Sequence, residues 1–360
     1  MIIQIDPLDT LFFRDGKPFR MGEETWSNSI FPPNPSVIYG ALRSAYFANH
    51  IDDLGKANEE DDPTKGLKIK GIYLKISNKI SNDIYFPLPV DCVKEKYDDE
   101  GKGFVLLTTP SEGFVSNYPK LGKILISSNN KVENIQNALL SKSTFEEYLN
   151  GETNNIIYLK IDNCLMNEPK IGIALSSQTH SSQEGMLYRV DMKRLENKQD
   201  DKMSIVIDFE GLDLPEEGII KFGGEGKAAR YNRYKEKDIN IDFPKFKENA
   251  NQFKIVLTTP AIFKNGWLPD WIDETTLVGE FNGLKIKLLT AAIDKPIHIG
   301  GFDMKEKKPK PMFKAVPAGS VYYFELIDGN MGEVKNTFHQ KAISDVYPEY
   351  GFGIAYVGKF

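Results

Sequence analysis

The chain has 360 residues, 41% of them hydrophobic, and a net charge of −6 from 45 Lys and Arg against 51 Asp and Glu. That length fits two domains of roughly 100–200 residues each; the apolar content excludes wholesale disorder, and the charge excludes a positive coat while leaving room for a local basic groove. Two cysteines, Cys92 and Cys164, and four dispersed histidines exclude a disulfide framework and a Cys-based zinc site, so no metal or cofactor is expected.

The first residues, MIIQIDPLDT, hold no basic stretch leading into an apolar run, so no signal peptide is expected. No apolar run approaches ~20 residues, so no membrane span is expected either, and the reading is cytoplasmic. Ile2, Ile3 and Ile5 read as a strand broken at Pro7, and Leu11-Phe12-Phe13 lead into the turn signal Arg14-Asp15-Gly16. Residues 35–49 read as a helix. Asn34 suits the N-cap, Pro35 the first helical position, and Ile38, Ala41, Leu42 and Ala45 form one apolar stripe. Gly40 in the middle costs ~1 kcal/mol against alanine, so a neighbouring element or a ligand backbone is expected to come close there. Tyr39, Arg43 and Tyr46 share one face of this helix, which suits a sugar–phosphate chain and its bases. Strands are expected at 67–76, 84–88, 103–108, 156–161, 203–209 and 218–222, and a second helix across 133–149. The polar stretches 52–65, 94–102 and 191–202 read as solvated loops.

Gly223-Gly224-Glu225-Gly226-Lys227 resembles a phosphate loop but fails its pattern, because Lys221 stands where the first glycine belongs and Ala228 replaces the Ser or Thr. What remains is a glycine loop followed by Lys227, Arg230, Arg233, Lys235 and Lys237, interleaved with Tyr231 and Tyr234. Residues 221–237 carry six basic and two acidic side chains, a local +4. Glycine amides and cations suit phosphates, and tyrosines offer stacking faces; a solvated charged loop has the same composition.

Towards the C-terminus, strands are expected near 253–258, 284–290, 297–302, 320–327 and 353–358, with a weak helix around 333–344. Phe253 to Leu257, Pro260, Ile262-Phe263 and Lys264-Asn265-Gly266 loosely repeat the opening strand, proline, aromatic and basic-Asp-Gly order. Either chance or two related domains accounts for the repeat. Gly300-Gly301 begin a second basic segment with Lys305, Lys307, Lys308, Lys310 and Lys314. Gly351-Phe352-Gly353 lie too near the end for a dinucleotide-binding helix to follow, and mark a close approach of backbone or ligand. Strands outnumber helices without strict alternation, so the fold class is α+β with mostly antiparallel sheets. No serine elbow, carboxylate pair or metal cluster emerges; His180 and His298 are the histidines to weigh as a general base.

Several motifs occur in order along the chain: Ile5-Asp6-Pro7-Leu8-Asp9 with Phe13-Arg14-Asp15-Gly16-Lys17-Pro18-Phe19, Pro35-Ser36-Val37-Ile38-Tyr39-Gly40-Ala41-Leu42-Arg43, and Phe86-Pro87-Leu88-Pro89 with Asp91. They continue with Glu184-Gly185-Met186-Leu187-Tyr188, Gly223-Gly224-Glu225-Gly226, and Gly351-Phe352-Gly353 through Tyr356-Val357-Gly358. As an ordered set they resemble the third-subunit family of the Cmr complex, the type III-B CRISPR effector, within the RAMP superfamily. The resemblance implies two ferredoxin-like (RRM-like) RAMP domains with long insertions, which we place at 1–245 and 246–360. It implies a noncatalytic ribonucleoprotein subunit in antiviral defence that binds the 5′ repeat-derived handle of the CRISPR RNA. It also implies a link between the large polymerase/cyclase-like subunit and neighbouring RAMP backbone subunits. The alternative is a RAMP-type endoribonuclease processing precursor CRISPR RNA; the histidine near the start of such nucleases has no counterpart in residues 1–49. By residue type the candidate RNA contacts are Arg14, Lys17, Ser36, Tyr39, Gly40, Arg43, Gly223, Gly224, Gly226, Lys227, Arg230, Gly300, Gly301, Gly351 and Gly353.

Overall fold

The computed structural model describes residues 1–14, 26–27, 29–78, 81–96, 102–115, 118, 120–127, 131–176, 178–179, 181–235, 239–303 and 308–360. Alternating apolar residues make strands β1 (Ile2–Pro7), β2 (Lys68–Ser77), β3 (Asn82–Pro87), β4 (Ala138–Ser141), β5 (Leu159–Lys160), β6 (Lys202–Glu210), β7 (Glu217–Lys221) and β8 (Ala228–Arg233). They form one eight-stranded antiparallel sheet in the order β5-β4-β3-β2-β6-β1-β8-β7. The rest of the chain supplies β9 (Gln252–Leu257), β10 (Val278–Phe281), β11 (Leu284–Ala292), β12 (Val321–Asp328), β13 (Lys341–Ala342) and β14 (Ile354–Gly358). These form a six-stranded antiparallel sheet in the order β10-β11-β12-β9-β14-β13.

The two sheets share a plan. The strands β1, β2, β6, β8 and the strands β9, β11, β12, β14 each stand side by side as second, third, first, fourth. The loosely repeated strand–turn pattern therefore falls on equivalent first strands. Helix α1 (Pro35–Asn49) crosses between the first and second strands of the first sheet, whereas residues 258–277 make that crossing in the second without a helix. Conversely, a helix lies between the third and fourth strands only in the second sheet. The residue periodicity predicts α1 to the residue; Asn34 takes the N-cap position, but its side chain makes no cap hydrogen bond.

The second helix is shorter than the apolar pattern of 133–149 predicts. It covers only α2 (Lys142–Leu149), capped by the Ser141 hydroxyl accepting from the Thr144 amide at 3.3 Å. Residues upstream of it are strands, because Leu140 pairs with Phe86 on the sheet. The weak C-terminal helix is α3 (Met331–Phe338), started by a reciprocal capping box between Asn330 and Glu333.

Among the described residues, parts of three expected loops are helical, in strands or buried. Ile51–Lys56 form a 3-10 helix, and beyond it Asp62 and Thr64 are buried. Lys94 is a buried strand residue paired with Glu133 at 2.9 Å. Residues 191–194 end a long antiparallel hairpin, Met166–Leu175 with Ser182–Arg194. That ribbon carries Ile171 and Ile173 exposed, so it lacks the one-sided apolar alternation that reveals a strand in sequence.

The layers run α1, first sheet, second sheet, α3. Ile3, Ile5, Ile205 and Ile207 pack under Ile38 and Leu42 of α1. On the opposite face, Ile2, Tyr73, Phe86 and Val206 meet Val256, Tyr323 and Tyr356 of the second sheet. Phe253, Ile255 and Leu257 face away from that contact, with Val334 and Phe338 of α3. The boundary between the sheets holds a buried polar group. Asp91 accepts from Tyr148 at 2.7 and 2.9 Å and from Tyr323 of the other sheet at 2.5 Å. The Lys254 ammonium lies 3.4 Å from the Tyr148 ring centroid. All four side chains are sealed from water. Burial lowers the Lys254 pKa, against the pull of Asp91, while it raises those of Tyr148 and Cys92.

Candidate nucleic-acid interface

The candidate residues fall into two groups. The first gathers on α1 and the turn before β14. Tyr39 is mostly buried and stacks on Tyr350 at 3.9 Å and 18°. Burial pushes its hydroxyl up to about 12. Arg43 is anchored, its Nε donating to Thr64 Oγ1 at 2.6 Å and its Nη2 to Asp62 Oδ2 at 2.5 Å. Asp62 also accepts from the Thr64 amide at 2.8 Å and the Asn58 amide at 2.7 Å. Burial pushes the Asp62 carboxyl up, but the bonds from Thr64 and Asn58 and the Arg43 charge together hold it below its ordinary value. Tyr46 turns to stack on His50 at 4.2 Å, so Tyr39, Arg43 and Tyr46 form no open aromatic–cation–aromatic face. Ser36 is half-buried in the first turn of the helix. Gly40 is exposed, and a Cβ there meets nothing within 4 Å. Among the described residues, no neighbouring element explains this glycine.

The glycine turns answer first to the chain itself. Gly223 has φ +89°, and a Cβ on it would lie 2.7 Å from the Phe12 carbonyl oxygen. Gly224 donates its amide to that same oxygen at 2.8 Å. At the equivalent place before β14, Gly353 has φ +72°, and a Cβ on it would stand 2.7 Å from the Ser344 nitrogen. The neighbouring Gly351 is held against Ile69 of β2. Phe222 and Phe352, one beside each turn, are fully buried plugs. Among these glycines Gly226 opens on free space, and Gly301 meets only the Lys310 side chain, at 3.6 Å. Gly300 lies between strand Ile297–Ile299 and Gly301.

The second group surrounds β8. Lys227 donates to Asp9 at 2.7 Å, and that hydrogen bond, with one from the Thr10 amide, holds the Asp9 carboxyl down to about 2. Arg194 also reaches Asp9, at 3.2 Å, and pairs with Glu168. Arg233 pairs with Glu216 at 2.5 Å. Residues 228–233, where the sequence pattern predicts no strand, form the fourth strand, and Tyr231 is 1% exposed in the core, so it offers no stacking face. The alternation of Ala229 and Tyr231 inward is masked in sequence by Arg230 between them and Arg233 beyond. Arg230 is exposed, opposite Asp6 and Ile219 in register. Lys221, opposite Ala228, lies on the same face, and both are exposed. That pair projects outward from one face of the sheet, and Lys235, just beyond β8, is exposed as well. Arg14 is exposed and bridges to Ser29.

Lys17, His180, Lys237, Lys305 and Lys307 lie outside the described residues. His298 is exposed in strand Ile297–Ile299, in register with Lys314. Sequence reasoning missed Asp62 and Asp9, which tie down two of the candidate cations, and missed Tyr347 and Tyr350, whose signal was only their place just before Gly351. Among the described residues, no group of three or more His, Cys, Asp or Glu is placed to hold a metal ion. Among them no helix is long and apolar enough to cross a membrane.

A chain of the cryo-EM structure of the Type III-B Cmr-beta bound to cognate target RNA and AMPPnP is similar at a TM-score of 0.52 and 18% identity, over 90% of this chain and 86% of that one. The Cmr-beta structure bound to cognate target RNA gives 0.49 and 19%, over the same shares. The crystal structure of the Csm3-Csm4 subcomplex in the type III-A CRISPR-Cas interference complex gives 0.39 and 13%, over 91% and 94%. The first of these shares the fold. Among curated proteins, none matches the chain. The family described as CRISPR-associated protein (Cas_Cmr3) matches residues 3–360, nearly every residue from β1 to the last strand, and the chain belongs to that family.

Proposed function

We propose that this chain is a noncatalytic subunit of a type III-B CRISPR ribonucleoprotein, gripping the 5′ repeat-derived handle of the guide RNA. In this reading it joins the large polymerase/cyclase-like subunit to the RAMP backbone subunits. The observation that carries the proposal is the family match over residues 3–360. The similar Cmr-beta chain comes from an assembly bound to cognate target RNA, which supports RNA and sister subunits as partners. The repeated second-third-first-fourth strand order supports two ferredoxin-like domains, 1–245 and 246–360, each keeping one of its two crossover helices.

The geometry selects the variants that test the grip. Arg43→Glu breaks the Asp62 anchor and perturbs the fold, so it is a poor probe. Lys221→Glu with Arg230→Glu reverses two exposed charges on one sheet face and leaves the Lys227–Asp9 pair in place. In the assembled complex this double variant is expected to retain less guide RNA, with a shallower salt dependence of binding. Unchanged guide occupancy and salt slope would remove this face from the interface.

A further inference from the structure

Three tyrosines far apart in sequence form one column at the junction of the two halves. Tyr39 of α1 stacks on Tyr350, and Tyr350 stacks on Tyr347 at 4.9 Å and 14°. Phe313 meets Tyr347 edge to face at 5.9 Å. Exposure rises along the column, from 8% at Tyr39 through a half-buried Tyr350 to 36% at Tyr347. The column is rooted in the core and ends in solvent.

The backbone beneath the outer ring is unusual. Tyr347 has φ 55° and ψ 42°, the left-handed region that a bulky side chain rarely enters, and Pro348 follows it. Asn or Gly would fit such a turn at lower cost, so the presence of a tyrosine calls for a use of its ring. Beside the column lie one cation, Arg43, near Tyr39 and Tyr350, and two carboxylates, Asp62 and Glu349. The end of the column is thus a flat aromatic face rather than an anion cradle. Lys310 and Lys314, on either side of Phe313 in sequence, are exposed.

We propose that Tyr347 is a stacking platform for one unpaired nucleobase of bound RNA, backed by Tyr350 and Tyr39. The proposal rests on the RNA-binding reading above and names one contact within it. A base continues a column of parallel rings without sequence preference, since every base has a π-face.

The test uses the assembled complex loaded with guide RNA carrying 4-thiouridine in its unpaired repeat-derived segment. Near-ultraviolet irradiation is expected to crosslink that base to Tyr347, located by peptide mass spectrometry. Tyr347→Ala is expected to weaken RNA retention by about tenfold or more, while Tyr347→Phe and Tyr347→Trp keep it, because stacking needs a ring and no hydroxyl. Retention by Tyr347→Ala equal to wild type overturns the platform while leaving RNA binding intact. Equal weakening in all three variants, with a matching fall in melting temperature, also overturns it and assigns the column to packing alone. A wild-type complex free of RNA contradicts the underlying reading, and the platform with it.

Discussion

At the scale of single residues, the chain spends charge in unexpected places. Asp91, sealed between the sheets, accepts from two tyrosine hydroxyls of different halves, Tyr148 reaching both its oxygens, with Lys254 close by. Removing it strands two buried hydroxyls and an uncompensated ammonium. Asp91→Leu is expected to cost about 3–5 kcal/mol in urea unfolding, and Asp91→Asn, which keeps one acceptor, less. Asp62 gives a pH signature. Its folded pKa lies below the ordinary 3.8, so its contribution to stability is complete above that value and lost as pH falls through the lowered one. Wild-type stability should therefore fall more steeply below pH ~4 than that of Asp62→Asn, read by acid unfolding. Gly40 makes a third case. With no neighbour within 4 Å, alanine fits, and Gly40→Ala should stabilise the free chain by about 0.5–1 kcal/mol. If the glycine is kept for a ligand backbone, the same variant retains less guide RNA in the assembled complex.

At the scale of elements, what sequence reveals depends on whether its signal is local. Helix α1 was legible to the residue because its apolar stripe and Pro35 both lie inside fifteen residues. The fourth strand β8 was not, because its inward residues are few and its arginines dominate the pattern. The turn at Gly351-Phe352-Gly353 reads as a close approach, and at Gly353 the approaching atom is the chain's own Ser344; the Gly223 loop reads as a phosphate site, and what comes close to Gly223 is Phe12. Long-range pairs were out of reach. Arg43 finds Asp62 only through the fold of residues 51–64, and Tyr39 finds Tyr350 only once the halves meet. Helix α3 follows local rules again. Removing its cap with Asn330→Ala is expected to cost ~1 kcal/mol, measurable as a shift in the urea midpoint without change in slope.

At the scale of the whole molecule, two sheets of one plan are packed face to face, and the second half also reaches around to α1 through residues 348–350. The net charge of −6 does not oppose RNA binding. Part of the expected basic surface is neutralised within the chain by Asp9, Glu216 and Asp62, while Lys221 and Arg230 on one sheet face, Lys235 beyond β8, and Lys310 and Lys314 are exposed. Confined cations on an acidic body favour a defined stretch of RNA over nonspecific binding. The most direct test is to purify the tagged full-length chain from its native cells, weigh its assembly by native mass spectrometry and sequence the RNA that travels with it. The account predicts a multi-subunit complex whose RNAs share one repeat-derived 5′ end. A lone chain, or RNA with unrelated 5′ ends, would contradict it.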